Sequence, residues 1–197
     1  RMVHLTSTAT QSRGLHNYIV EKGGSDHPNV DVEFKLGDIV TTVIKCANGQ
    51  SIVLSHDTNS PRPYSLNFRV QGTKGIWMAD NDSIYIEGTS PEPHRWEADE
   101  AYLKKYDHPL WKRFSDAENT LSHTGHGGMD FFIVRAFVEA LKGADPVIDV
   151  YDSVSMSVVS PLSEQSIKQG SAPVKIPDFT RGKWKTNKPI FGLNDHM

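Results

Sequence analysis

The chain has 197 residues with a formal net charge of -3, and 37% of them are hydrophobic and 23% charged. This length suits one domain with a real core, so residues 1–197 are predicted to form a single domain. The balanced charge argues against nucleic acid as a partner. No apolar run approaches the roughly 20 residues that cross a bilayer, so no membrane partner is expected.

The first part of the chain shows the patterns of strands. Residues 2–8 are typical of a strand and residues 12–22 of a short helix. Two β-rich runs, residues 38–47 and 50–58, flank a strong two-residue hairpin signal and are predicted to pair antiparallel. Side chains alternate along residues 64–72, which predicts a further strand, and apolar residues at 76, 78, 84 and 86 extend the meander.

The second part of the chain is predicted to be mainly helical. The aromatic and Pro-rich segment 89–121 is interpreted as a loop followed by short helices. Apolar residues at helical spacing predict a buried helix over residues 129–141, which would cover the sheet. Residues 146–170 indicate a second helical stretch interrupted at Pro161, and the tail from Ser171 is predicted to be an extended arm on the surface.

Strands followed by helices predict an α+β fold, with one open, mostly antiparallel sheet covered by helices on one face. Threonine and aliphatic residues occupy both faces of the strands, so the other face needs a cover. We expect a second copy of the chain, giving a homo-oligomer, or a further domain. The chain opens directly on a strand-like run, and we expect it to be a piece of something larger.

A glycine-rich loop, Gly125-His126-Gly127-Gly128, opens the helix predicted over residues 129–141. Backbone can approach a bound group closely at such a loop, and a helix start presents unpaired N–H groups. His126 and Asp130 are therefore candidates for contacts with a polar ligand. In one alternative, His126 has a structural role at the helix start. In another, His123, His126 and Asp130 bind a metal, but so few ligands make a thin site and no metal is assigned.

A second candidate loop lies between two predicted strands, where two prolines fix the backbone around Arg62. Arg62 and Tyr64 present a guanidinium and a phenol, which suit the hydroxyl and amide groups of a ligand. The alternative is that Arg62 forms a structural ion pair and Tyr64 merely begins a strand. His56 and Asp57 end the preceding strand; they are candidates for supporting contacts or are simply a solvated strand end.

Three motifs together resemble one family: HDTNSPRPY at residues 56–64, GHGGMD at 125–130 and APVKIPDFTRGKW at 172–184. The combination, which spans nearly the whole chain, is similar to the C-terminal domain of the NAD-dependent glycoside hydrolases of family 109, typified by bacterial α-N-acetylgalactosaminidase. That family belongs to the Gfo/Idh/MocA oxidoreductase superfamily. The turn GTKG at residues 72–75 is similar to one common across that superfamily.

The resemblance implies a longer parent enzyme, with an N-terminal Rossmann domain that holds NAD and with this chain as the domain that shapes the sugar site and makes oligomer contacts. In such enzymes NAD takes a hydride from C3 of the sugar, the aglycone leaves by elimination across C2, water adds and the hydride returns. The family's Tyr-x-x-His motif is expected to precede this chain. No catalytic residue and no NAD site are therefore expected within it, and the chain alone is not expected to be active.

By this resemblance the expected partner is a carbohydrate, an (N-acetyl)hexosaminide, and the expected substrate-binding residues are Tyr64, His126, Arg62, His56 and Asp130. A bacterial protein is implied, with cytoplasm and periplasm both open. Two other functions stay open: an ordinary NAD(P)-dependent sugar dehydrogenase domain, or a non-catalytic, sheet-based module for binding or oligomerisation.

Overall fold

The computed structural model describes residues 1–115 and 125–187. Of these, residues 1–61 and 148–187 form one compact unit, and residues 62–115 and 125–147 form a second. Both units combine antiparallel strands with helices, so the predicted α+β class is confirmed. The strands form two four-stranded sheets, one in each unit, where the sequence predicted one sheet.

In chain order the strands are β1 Met2–Ala9, β2 Ile39–Cys46, β3 Ser51–Asp57, β4 Arg69–Gly72, β5 Gly75–Met78, β6 Ser83–Ile86, β7 Glu97–Ala98 and β8 Val174–Lys175. The helices are α1 Gly14–Gly23, α2 Glu100–Tyr106, α3 Pro109–Ser115, α4 Met129–Leu141, α5 Val150–Ser157 and α6 Val159–Lys168. Within the described residues, no helix is both long and apolar enough to cross a bilayer.

The sheet of the first unit has the strand order β3-β2-β1-β8, and every pair is antiparallel. The predicted hairpin around Asn48-Gly49 is confirmed, since it joins β2 to β3 in continuous register. Side chains alternate between two faces of this sheet. Leu5 lies beside Ile44 on the buried face, whereas Val43 lies beside Val53 on the face that meets solvent.

Helix α6 packs on the buried face of this sheet. The core beneath it consists of Leu5, Ile44, Val174 and Ile176. Two of these residues belong to the tail, so the prediction of an extended surface arm is wrong there. The tail enters the sheet as β8, which pairs with β1, because Val174 and Ile176 become 6% and 2% exposed and so bury apolar area that a surface arm would leave in water.

Buried hydroxyl groups join α6 to β1 and β2. Ser166 Oγ accepts the backbone N–H of Ser7 at 2.9 Å and donates to the carbonyl of Ala172 at 2.7 Å. The hydroxyl of Thr42 lies 2.8 Å from that of Ser7 and 3.3 Å from that of Ser163. All four hydroxyl residues are buried, so these groups satisfy one another in place of water.

The helical stretch predicted over residues 146–170 is interrupted, as expected, but at Val158, between α5 and α6. Pro161 lies three residues further on. Because a proline has no N–H, it cannot donate to a carbonyl one turn back, and its ring crowds that turn. The break therefore falls before the proline and not at it.

The second unit contains the sheet β4-β5-β6-β7, which confirms the predicted meander. The strand predicted over residues 64–72 is wrong in its first half, since β4 begins at Arg69. Asn67 has a left-handed backbone with φ 47°, and its N–H donates to the Ser65 hydroxyl at 2.9 Å. That hydroxyl donates in turn to Asp80 at 2.6 Å, so a turn forms where alternation predicted extended chain.

Helix α4 forms over the predicted residues, but the prediction that it is buried is wrong. Phe131 packs edge-on against Phe114 of α3, with ring centroids 5.1 Å apart. Further along the helix, side chains that share the apolar pattern are 64%, 65% and 73% exposed: Ile133, Phe137 and Leu141. Helical spacing located the helix, but spacing alone does not say which apolar residues find packing partners.

Replacing Ser166 by Ala is expected to destabilise the chain, because the Ser7 N–H and the Ala172 carbonyl lose their buried partner. The free energy of unfolding, measured by urea denaturation, should fall by about 1–3 kcal/mol. The matched control is Ser160→Ala, an exposed serine in the same helix, which should change it by less than about 0.5 kcal/mol. Equal effects of the two substitutions would contradict a stabilising hydroxyl network.

Candidate functional site

The loop that precedes α4 holds a histidine in a strained backbone conformation. His126, Gly127 and Gly128 have φ angles of 55°, 65° and 97°, all in the left-handed region that residues other than glycine rarely adopt. Strain of this kind is of order 1–3 kcal/mol for a non-glycine residue. The His126 side chain is 85% exposed, so burial of its ring does not offset the strain.

Asp130, in the first turn of α4, holds the imidazole of His126. Nδ1 of His126 lies 3.0 Å from Oδ1 of Asp130. Gly125 makes room for this pair, since a methyl group at that position would collide with the Asp130 carboxylate. When Nδ1 donates to Asp130, Nε2 is the acceptor that remains for another group. In the described part of the chain no side chain caps α4, so the geometry does not support a capping role for His126.

Arg62 and Tyr64 lie in the same unit as His126, on the loop that leads to β4. Nη1 of Arg62 donates to the carbonyl of Ser65 at 3.1 Å, so the guanidinium folds back along its own loop. Tyr64 is 88% exposed. It does not begin a strand, which leaves its phenol accessible to a ligand.

His56 lies in the first unit, on the edge strand β3, where it is exposed and paired in register with Val40. The neighbouring Asp57 accepts the N–H of Ser60 at 3.1 Å in the turn that ends the strand. His123, the third potential metal ligand, lies outside the described residues. Among the residues the structure does describe, no three His, Cys, Asp or Glu side chains converge on a possible metal position.

Two tryptophans, Trp111 and Trp184, have ring contacts with residues distant in sequence. Trp111 packs against Phe132 with ring centroids 5.7 Å apart. Trp184 has the guanidinium of Arg1 over its ring, 5.9 Å from the centroid. Both side chains are half-buried, and these contacts lie within their own units.

Sequence reasoning missed a cavity of about 290 Å³ in the second unit, lined by Trp77, Asp99, Tyr102 and Tyr106 among others. The i, i+4 spacing of Tyr102 and Tyr106, which places both phenols on one face of a helix, is a signal for it in the sequence. Trp77 lies on β5, 22 residues before Asp99, so it reaches the cavity only when the sheet has folded.

A family model described as glycosyl hydrolase 109, C-terminal domain, matches residues 1–186. The chain belongs to this family. The family resemblance inferred from the three motifs is thereby confirmed.

Relatives of this glycosyl hydrolase 109 domain match nearly all of the chain. A glycosyl hydrolase family 109 protein of Stenotrophomonas maltophilia is 55% identical over 196 residues, covering 98% of this chain and 42% of the relative. An α-N-acetylgalactosaminidase of Tannerella forsythia is 53% identical over 194 residues, covering 98% of this chain and 41% of the relative. A family 109 protein of Parabacteroides distasonis is 51% identical over 194 residues, again covering 98% of this chain and 41% of the relative. The chain spans about two-fifths of the length of these curated relatives.

Strain at position 126 of the glycosyl hydrolase 109 domain predicts an unusual order of stabilities. His126→Gly should be more stable than His126→Ala by about 1 kcal/mol in the free energy of unfolding, because glycine adopts the left-handed conformation without strain. Both variants lose the contact with Asp130, so their difference reports the backbone alone.

The matched control for this comparison is Gln165, an exposed position inside α6. There the order should reverse, with Gln165→Ala more stable than Gln165→Gly by about 1 kcal/mol. Urea denaturation of all four variants gives the two differences. Alanine being the more stable substitution at both positions would rule out strain at His126.

Proposed function

We propose that this domain forms the substrate side of a longer enzyme that cleaves N-acetylhexosaminides by a route that begins with hydride transfer from C3 of the sugar to NAD. The observation that carries the proposal is the 53% identity, over 98% of the chain, to an α-N-acetylgalactosaminidase. The relatives are more than twice as long as the chain. In this proposal the 197 residues act as one substrate-side domain, and catalysis belongs to the parent enzyme as a whole.

NAD is assigned in this proposal to an N-terminal Rossmann domain of the parent. All strand pairs among the described residues are antiparallel, whereas a dinucleotide site needs a parallel strand, a glycine-rich loop and a helix in sequence. The described residues therefore do not fit NAD, and no step through it is derived from them. In the parent enzyme, NAD would accept the hydride.

The contribution of this chain is to orient the sugar. With Nδ1 of His126 held by Asp130, Nε2 is available to a sugar hydroxyl. The exposed phenol of Tyr64 and the guanidinium of Arg62 suit a second hydroxyl and the acetamide oxygen. Support comes from the backbone of His126: a strained, exposed residue adds little to stability, which favours a role in binding. A contact from His56, which lies in the other unit, stays a prediction.

In the full-length enzyme, Tyr64→Phe and His126→Gly should each lower kcat/KM on an aryl N-acetyl-α-galactosaminide by roughly tenfold or more, since each loses a hydrogen bond to the substrate. Their thermal midpoints should stay close to that of the natural enzyme. His126→Gly is chosen because it removes the imidazole without adding strain.

The matched control is Tyr18→Phe, a 62% exposed tyrosine in α1 that should leave kcat/KM unchanged. Natural kinetics in both site variants would refute the assignment of Tyr64 and His126. Release of the aglycone without net formation of NADH supports a hydrolase. Net NADH formation without aglycone release supports the dehydrogenase alternative.

We also propose that the domain forms a homo-oligomer through the open face of the first sheet. Val43 and Val53 lie side by side on this face and are 47% and 67% exposed. Two threonines lie on the same face: Thr6 pairs with Val43 on the neighbouring strand, and Thr41 lies two residues before Val43 on β2. Aliphatic and threonine side chains at the centre of a sheet face, with Lys45 beyond them at one end, are typical of a surface that packs against a copy of itself.

Val53→Lys is expected to shift the chain toward the monomer in sedimentation velocity, because it places a charge in the centre of a self-complementary face. The matched control is Val70→Lys, on the second sheet at 59% exposure, which should leave the oligomer intact. A natural chain that sediments as a monomer at high concentration would contradict the proposal.

A further inference from the structure

The cavity of about 290 Å³ in the second unit is separate in its residues from the candidate sugar-binding loops. Its nine lining residues come from β5, β6, α2 and the residues that flank α2. The volume lies just below the range of about 300–1,000 Å³ that is usual for small-molecule sites. It therefore suits a small ligand.

Asp99 places a buried carboxylate in the wall of this cavity. The residue is 5% exposed, and its Oδ2 accepts the indole N–H of Trp77 at 2.6 Å. Asp99 precedes α2 at the position where a carboxylate usually caps the helix, yet its side chain does not bind the helix backbone. Within residues 1–115 and 125–187, no Lys, Arg or His side chain forms an ion pair with it. A buried carboxylate without a cationic partner is unfavourable and is stabilised by one.

The walls around Asp99 are aromatic and apolar. The phenol of Tyr102 donates to Glu97 at 3.0 Å, as the Trp77 indole does to Asp99, so hydrogen bonds fix both rings. Asp107 and His108 also line the cavity, and none of its nine lining residues is Lys or Arg. Over residues 97–108 four carboxylates stand against two lysines. The Nζ of Lys105 lies 4.9 Å from the centroid of the Tyr106 ring, so one of the lining rings already contacts a cation.

We propose that this cavity binds a small organic ammonium ion, whose charge pairs with Asp99 and whose alkyl groups pack against Trp77 and Tyr102. Aromatic rings attract alkylammonium ions through their negative faces, and the carboxylate adds a full opposite charge. A neutral sugar is a poorer fit, since its many hydroxyl groups need more hydrogen-bonding partners than this largely apolar wall offers.

The test compares two probes of equal shape on the 197-residue chain: choline, which carries the cation, and 3,3-dimethyl-1-butanol, in which carbon replaces the nitrogen. Titrations followed by ¹H–¹⁵N NMR should show choline binding about tenfold more tightly than the alcohol. The Trp77 indole N–H resonance should shift with choline, because that group is bound to Asp99. Equal affinities, or no shift with either probe at millimolar concentration, would overturn the proposal.

Asp99→Asn keeps an acceptor for the Trp77 indole and removes the charge, so the preference for choline over the alcohol should weaken to what the rings and Asp107 supply. An unchanged preference would contradict the proposal. Glu100→Gln is the matched control: it removes a neighbouring charge that does not line the cavity, and the preference should remain. If Asp99→Asn does not fold, the comparison of the two probes on the natural chain still tests the proposal. Phosphocholine should bind less tightly than choline, since no Lys or Arg lines the cavity and the carboxylates of Asp99 and Asp107 would repel its phosphate; tighter binding would contradict a site for the bare ammonium ion.

Discussion

The first unit depends on the hydroxyl of Ser166, because this one group joins a helix, a strand and the tail. Strand β8 pairs with β1 at His4 and Leu5, and the N–H of Ile176 donates to the carbonyl of Val3, so the N–H of Ser7 lies beyond the other end of its partner strand. Ser166 Oγ accepts that N–H and donates to the carbonyl of Ala172, which leads into β8. The contact links residues that are 159 positions apart, and it fixes α6 over the core at the same time. A hydroxyl that satisfies two buried backbone groups contributes more than either bond alone, since its loss would leave both unpaired.

The tail is held at its far end by a turn around Asp178. The Thr180 hydroxyl donates to Asp178 Oδ1 at 2.7 Å, and the backbone N–H of Gly182 donates to Oδ2 at 3.0 Å. The Thr180 hydroxyl, helped by the Arg1 guanidinium and the Gly182 N–H, holds the pKa of Asp178 below its usual value. Arg1 Nε lies 3.8 Å from the same carboxylate, so the two ends of the first unit meet there. The third family motif, residues 172–184, is thus accounted for by folding, whereas the glycine-rich motif before α4 is not.

The sequence predicted those elements whose cause is local. Asn48-Gly49 favours a hairpin by its own backbone preferences, and the glycines around His126 favour the loop that opens α4. Predictions failed where the structure of a segment depends on residues that are distant in the sequence. The turn at Asn67 depends on Ser65, whose hydroxyl is bound by Asp80 fifteen residues away. The burial of α4 depended on packing partners that helical spacing does not reveal.

His126 and Asp99, both in the second unit, depart from a local preference of the backbone. His126 adopts a backbone conformation suited to glycine while its imidazole stays in solvent, and Asp99 sits before a helix without capping it while its carboxylate is buried. A sequence selected for folding alone would favour glycine at the first position and a capping carboxylate at the second. Both exceptions direct a polar group away from the backbone, one into solvent beside the Asp130 carboxylate and the other into a cavity. Conflicts of this kind are expected where a side chain is retained for a ligand, which supports our proposals of a sugar contact at His126 and an ammonium site at Asp99.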